Sequence, residues 1–302
     1  MKISEAFDDF LIEQRVRGNS VATLSYYKRC LSSFLLFMND IDVQDINLTR
    51  CKKYYLYLAD TGINSVSVQS YIRGLRAFLR YLYENDLIEI DICSRFRLPK
   101  CTRNVIDVLS DEEIHRVYRA LEGDSLLQIR NRLIVSLMLD SGLRRHEVVS
   151  LTVGDVHLND RYLIVLGKGD KQRFVPFGKT SALYLEQYLS IVYPNIDNID
   201  FRMPLIIKVS DFGEHEAITD TTLKQFFRGL KVRTGIKRLK AHLLRHTFAT
   251  RYLENGGNIY ALQAILGHTS LEMVKRYLHL ATNRIRSDFP KFSPLDNIKK
   301  PC

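Results

Sequence analysis

The sequence contains no tryptophan, no run of about 18 apolar residues and no pair of cysteines at C-x-x-C spacing. Without such a run no transmembrane helix is expected. The start, Met1-Lys2-Ile3-Ser4-Glu5, lacks the apolar stretch of a secretory signal. The five cysteines (Cys30, Cys51, Cys93, Cys101 and Cys302) are odd in number and unpaired in pattern. They suit a reducing cytosol, so a cytoplasmic location is expected. No H-E-x-x-H or Cys/His cluster offers a metal site, and no G-x-x-x-x-G-K-[S/T] loop offers a nucleotide site. No cofactor is expected. Aromatic character rests on tyrosine and phenylalanine alone.

The chain has 302 residues, enough for two ordinary domains with sizeable cores. It carries 44 Lys plus Arg against 34 Asp plus Glu, a net charge of +10. A surplus of that size suits a polyanionic partner, although charge kept for solubility would look the same.

Helical periodicity dominates the first hundred residues. Ile3, Phe7, Phe10 and Leu11 recur at helical spacing, and Arg17-Gly18-Asn19-Ser20 breaks the run. Ser20 or Thr23 can cap a second helix carrying Leu24, Tyr27, Leu31, Phe34, Leu35 and Met38, which Asn39-Asp40 ends. A third helix opens at Leu48-Thr49 and runs to Asp60-Thr61-Gly62. A fourth starts at Ser65 or Ser67 and carries Tyr71, Leu75, Phe78, Leu79 and Leu82. Four helices with short connections predict a small bundle over residues 1–97. Residues 98–108 read as a linker: Pro99 keeps its predecessor out of helical geometry, and Arg97, Lys100 and Arg103 are basic.

The second half opens with a capping box, Ser110 followed by Glu113. Helices are predicted over 111–121, 126–140, 179–190 and 219–234. Between them Asp155-Val156-His157-Leu158 and Tyr162-Leu163-Ile164-Val165-Leu166 flank a hairpin signal, and Gly167-Lys168-Gly169-Asp170 turns into Gln172-Arg173-Phe174-Val175-Pro176. Three short strands are expected. Residues 194–216 show no period and read as irregular. The predicted class is mainly α with a small β-sheet.

Chemistry concentrates between Lys240 and Leu280. His242-Leu243-Leu244-Arg245-His246 places His242 and Arg245 three apart, on one helical face. Gly256-Gly257-Asn258 stops that helix, and a short helix from Ile259 to Leu266 ends at Gly267. His268 follows, and a further helix starting at Thr269 or Ser270 carries Tyr277. These groups suit a phosphodiester. An arginine fork grips phosphate oxygens, histidine donates or shuttles a proton, and a tyrosine hydroxyl can form a covalent intermediate.

The stretch resembles the second box of the tyrosine recombinases, the phage-integrase and Xer-like enzymes: H-x-L-R-H, then L-G-H, then a tyrosine nine residues on. Ser141-Gly142-Leu143-Arg144, with Glu147 three later, resembles the family's first box, although His146 stands where a small residue is usual. Gly167-Lys168-Gly169 to Arg173 resembles its G-K-G-x-x-x-R element. Gly18-Asn19-Ser20 through Thr23 and Tyr27 resembles its N-terminal domain. The resemblance implies a SAM-like core-binding domain (1–97), a linker (98–108), a catalytic domain (109–286) and a tail (287–302). With no arm-binding segment ahead of residue 1, it implies a simple recombinase.

The resemblance also implies the roles. Tyr277 is the nucleophile, Arg144 and Arg245 bind the phosphate, His242 and His268 donate to it, and Lys168 is the general acid. Neither ATP nor metal is needed. Lys28, Arg29, Arg73, Arg76, Arg80 and Lys240 are expected to contact DNA, with the two domains closing as a clamp. His246 packs or orients, and His115, His146, His157, His215 and His279 have no catalytic part. Partners are double-stranded DNA with paired inverted-repeat sites and a homotetramer, formed alone or with a related recombinase, that works through a Holliday junction. The tail docks on a neighbouring protomer. The same core serves Xer-like dimer resolution and mobile-element integration, excision or inversion. Rival readings are a type IB topoisomerase and a non-catalytic DNA-binding regulator.

Overall fold

The computed structural model describes residues 1–99, 107–167, 171–194, 200–209 and 216–267. The chain divides into two compact units, Met1–Asn104 and Val105–Cys302.

In the first unit, α1 (Ile3–Val16) turns Ile3, Ala6, Phe7 and Phe10 inward at helical spacing. α2 (Val21–Met38) is capped by Ser20, whose hydroxyl accepts from the Thr23 N–H. Its end is enforced by two successive left-handed residues, Asn39 (φ 60°) and Asp40 (φ 47°). Such short polar side chains tolerate that region better than most. α3 (Leu48–Asp60) is capped by Asn47. α4 (Ser65–Glu84) is capped by Asn64, which accepts from Ser67 N–H, so the helix begins at Ser65 without a serine cap. A 3-10 turn at Val43–Asp45 and a short α5 (Ile92–Arg95) add to the four expected helices.

The core between these helices is aromatic. Phe10, Phe34, Tyr54 and Phe78 are fully buried. The rings of Phe10 and Phe78 meet edge-on at 5.6 Å, and those of Phe34 and Tyr54 at 5.1 Å. α2 and α4 approach closely at Gly74, where a Cβ would lie 2.7 Å from Cys30 Cβ. Tyr26 ties the same pair by donating to the Ser70 carbonyl at 2.7 Å.

The second unit is built around α7 (Leu126–Asp140), whose Ile129, Leu133, Ile134, Val135, Leu137 and Met138 are all buried. A helix apolar on most sides belongs in the interior. α6 (Asp111–Arg119) precedes it, opened by the Ser110–Glu113 capping box. α8 (Arg145–Ser150) follows. The antiparallel sheet runs β1 (Val156–His157), β2 (Tyr162–Leu166) and β3 (Gln172–Pro176) in that order. Its register places Leu163 opposite Val175 and Val165 opposite Arg173. Then come α9 (Lys179–Val192), α10 (Asp220–Thr234), α11 (Ala241–Glu254) and α12 (Ile259–Leu266). The mainly helical class with one small sheet therefore holds.

Boundaries shift from expectation by about a turn at most. α6 stops at Arg119, α9 extends to Val192, and Thr219 is the cap of α10 and not its first residue. The stretch read as irregular differs more. Leu205, Ile206 and Ile207 enter the core, and isolated bridges pair Thr152 with Pro204 and Ile207 with Ala217. Three apolar residues without a period signal neither helix nor strand; a partner tens of residues away gives them their place. The expected helix beyond Thr269 and the tail at 287–302 lie outside the described residues, as does 100–106 of the expected linker.

Gly74→Val tests the α2–α4 contact. Valine gains only a few tenths of a kcal/mol in helix propensity over glycine, while overpacking costs about 1–3 kcal/mol. The variant should unfold at a lower temperature in a thermal melt, and an unchanged melt would contradict the close approach.

Candidate active site

Three separate stretches meet in the second unit. The first is the turn after α7. Gly142 has φ 64°, and a Cβ there would lie 2.4 Å from the Phe248 ring. Glycine is required on both counts. The turn delivers Arg144 to the start of α8, where its backbone N–H donates to Glu147 Oε2 at 2.7 Å and its Nη1 to Oε1 at 2.8 Å. Arg144 itself is partly exposed, while the Glu147 side chain is fully buried.

The second stretch is β3. Arg173 donates from Nη2 to Glu147 Oε2 at 2.9 Å and from Nε to the Ile265 carbonyl at 2.7 Å. Burial alone would push the Glu147 carboxyl up. The hydrogen bonds from Arg173 and from Arg144 outweigh that and hold it at about 2. Glu147 is thus a buried anion clasped by two guanidinium groups.

The third stretch is α11 with α12. Arg245 is 3% exposed. Its Nη1 donates to the Gly142 carbonyl at 2.6 Å and its Nη2 to the Leu266 carbonyl at 2.8 Å. The last carbonyls of α12, which lack partners within the helix, are therefore taken by Arg173 and Arg245. The contacts close on themselves. They run from Arg144 through Glu147 to Arg173, across Ile265 and Leu266 to Arg245, and back to Gly142, two residues before Arg144.

His242 lies in the first turn of α11, exposed, with its ring 4.6 Å from that of the half-buried His246 and nearly perpendicular to it. Spacing alone put His242 and Arg245 on one face; the fold separates them by depth, with the histidine at the rim and the arginine in the interior. Lys240, the N-cap residue of α11, is exposed. Lys168, His268 and Tyr277 lie outside the described residues. Their neighbours are placed. Gly167 closes the end of β2 by donating to the Lys171 carbonyl at 2.8 Å, and Gly267 (φ 63°) ends α12. A Cβ on Gly267 would lie 3.0 Å from Arg173 Cδ, and one on Gly167 3.8 Å from its Nη1. Among the described residues no cluster of three or more metal-ligating side chains is present.

Residues 107–284 match the phage integrase family, and residues 3–98 match the phage integrase SAM-like domain. The chain belongs to the phage integrase family. It is a tyrosine recombinase, an enzyme of DNA strand transfer. It is 31% identical to the tyrosine recombinase XerD of Oceanobacillus iheyensis, over 96% of this chain and 98% of that one. It is 30% identical to XerC of Staphylococcus aureus, over 95% and 96%. A crystal structure of a lambda integrase dimer bound to a core site shares the fold, with a TM-score of 0.74 at 19% identity, over 92% of this chain and 95% of that one.

In the recombinase's N-terminal unit the expected DNA-contacting side chains differ in freedom. Lys28, Arg29, Arg73 and Arg80 are exposed. Arg29 lies over the Tyr26 ring at 5.8 Å, and Arg73 donates to Gln69 Oε1 at 2.7 Å along its own helix. Arg76 is tied down, because it donates to the Phe96 carbonyl. With Arg17, Arg80, Tyr27 and Tyr81 it lines a cavity of about 310 Å³. The three arginines of α4 are therefore not equivalent.

Sequence reasoning gave no role to Arg173. A signal was available. Val175 points inward on β3, so Arg173, two residues earlier, faces inward as well. An inward arginine requires a buried partner.

Gly142→Ala is predicted to destabilise the recombinase by about 2–4 kcal/mol, combining the left-handed backbone penalty with overpacking against Phe248. Urea unfolding measures it, and a midpoint equal to that of the parent would contradict the geometry of the turn.

Proposed function

We propose that the recombinase cuts and rejoins duplex DNA at specific sites through a 3′-phosphotyrosyl link to Tyr277. The observation that carries this reading is the closed set of contacts holding Arg144 and Arg245 in one register, beside the end of α12 from which the chain continues to His268 and Tyr277. In the proposed step the Tyr277 oxygen attacks phosphorus as the bond to the 5′ oxygen breaks. The tyrosine proton passes to His242, and the leaving 5′ oxygen takes a proton from Lys168. Arg144 and Arg245 offset the charge of the pentavalent transition state, and His242 and His268 donate to its oxygens. The bond to tyrosine conserves the phosphodiester energy, so rejoining to a new 5′ hydroxyl needs neither ATP nor metal.

Duplex DNA is the proposed partner, supported by the net charge of +10 and by the DNA-bound lambda integrase that shares the fold. Lys28, Arg29, Arg73, Arg80 and Lys240 are proposed to meet phosphates, with Arg76 bracing the backbone at Phe96. Four copies on paired inverted-repeat sites would exchange strands through a Holliday junction, with residues 98–108 as linker and the tail at 287–302 docking in trans. Such work places the enzyme with the chromosome, in the cytoplasm. Xer-like resolution is the favoured setting, given the XerD and XerC relatives.

Tyr277→Phe should bind its DNA site with near-parental affinity and form no covalent complex on a nicked suicide duplex. A phosphotyrosyl adduct in that variant would show the nucleophile to be misassigned. DNA affinity should also fall by roughly 10³–10⁵ between 50 and 200 mM salt, as expected for 6–10 phosphate contacts. A flat salt response would sink the proposed electrostatic grip.

A further inference from the structure

Arg173 is the member of the closed contact set to which no part in the reaction has been given. It is 11% exposed and lies on β3, while its partners lie on α8 and α12. Its planar fork spans two groups that a single ammonium could not serve together, the Glu147 carboxylate at 2.9 Å and the Ile265 carbonyl at 2.7 Å. Each partner is one step from a proposed phosphate-binding arginine. Glu147 holds Arg144 by its other oxygen, and Leu266, next to Ile265, holds Arg245. The third nitrogen, Nη1, is buried with no hydrogen-bond partner among the described residues, on the side of Gly167, the residue before Lys168. Gly267, which precedes His268, packs against the same side chain. One guanidinium therefore borders every described segment that supports or leads to a proposed catalytic residue of this unit, apart from His242.

We infer that Arg173 is a positioning residue for strand cleavage: by holding the Glu147 carboxylate and the end of α12 together, it fixes Arg144 and Arg245 relative to one another. This rests on the proposed roles of Arg144 and Arg245. Arg173 does not touch the phosphate and acts through these two arginines. Without it, the buried Glu147 carboxylate keeps one partner, Arg144. The neighbouring cation on its own helix, Arg145, is committed to Asp220, which also pairs with Lys224 on α10, and His146 is exposed. Burial then pushes the carboxyl toward its protonated form, and Arg144 loses the anion that orients it.

The test uses the full chain and a nicked suicide duplex carrying the site it selects from a random-sequence DNA pool. Arg173→Gln should bind that duplex within about twofold of the parent. At pH 7 it should form the covalent complex on the order of 100-fold more slowly, the loss expected when reacting groups shift by about 1 Å. The rate should recover in part as pH rises from 6 to 9, because Glu147 ionises again; a purely structural defect would not follow that titration. Arg173→Lys should also be slow, since it keeps the charge and loses the fork. Arg173→Gln combined with Glu147→Gln should be no slower than the worse single variant, because both act along one path. Parental cleavage rates in Arg173→Lys and Arg173→Gln, or full multiplication of the two defects in the double variant, would overturn the inference. If Arg173→Gln does not fold, Arg173→Lys decides by its rate. A parent chain that forms no covalent complex would instead refute the proposed function itself.

Discussion

A single buried carboxylate organises the catalytic unit. Glu147 is wholly removed from water, and an anion there is tolerated only with its oxygens hydrogen-bonded to cations. Arg144 and Arg173 meet that demand from opposite sides in sequence, one from the turn before α8 and one from β3. Because the cost of leaving the charge bare is high, the two arginines are held where the carboxylate requires them. Arg245 extends the same logic with carbonyls: hydrogen bonds from its guanidinium reach the Gly142 turn and the end of α12. Rigidity at the proposed phosphate-binding site thus follows from satisfying buried polar groups.

The rest of the second unit supports that arrangement. α11 is pinned along its length by the strand of chain that enters the unit. Arg238, just before it, pairs with Asp107 and Glu113; Thr247, within it, accepts the Leu109 N–H at 2.9 Å; and Arg251, near its end, pairs with Asp111. Leu109 and Thr247 are both fully buried, so the middle bond is shielded from competing water. α7 supplies the apolar floor on which α11 rests. Preorganisation of the proposed site is therefore a property of the unit's entry segment as well as of the motif residues.

What the sequence made legible was local. The caps at Ser20 and Ser110 and the stops at Asn39 and Gly267 depend on neighbours within a few residues, and each was readable from residue type. The family boxes were legible because Arg144, His242 and Arg245 sit in short patterns. Arg173 stands at the end of the G-K-G-x-x-x-R element and its alternation with Val175 marks it as inward, but its partners were not legible: they lie 26 and 92 residues away, and no local pattern names them. The core placement of Leu205 to Ile207 was hidden for the same reason. Arg76 is a further case: it is expected to contact DNA, and its bond to a carbonyl 20 residues on is equally invisible in the local pattern.

Glu147 is an ion held by two guanidinium groups in the folded enzyme. A folded pKa depressed from the ordinary 4.5 to about 2 contributes stability that is present above 4.5 and is lost as pH falls toward 2. The direct measurement is the side-chain carboxyl ¹³C shift of Glu147, followed by NMR as pH is lowered in the folded full-length chain. The shift should stay at its ionised value through pH 4 and titrate only near 2, or with acid unfolding if that comes first. A midpoint at 4.5 or above in the folded protein would contradict it.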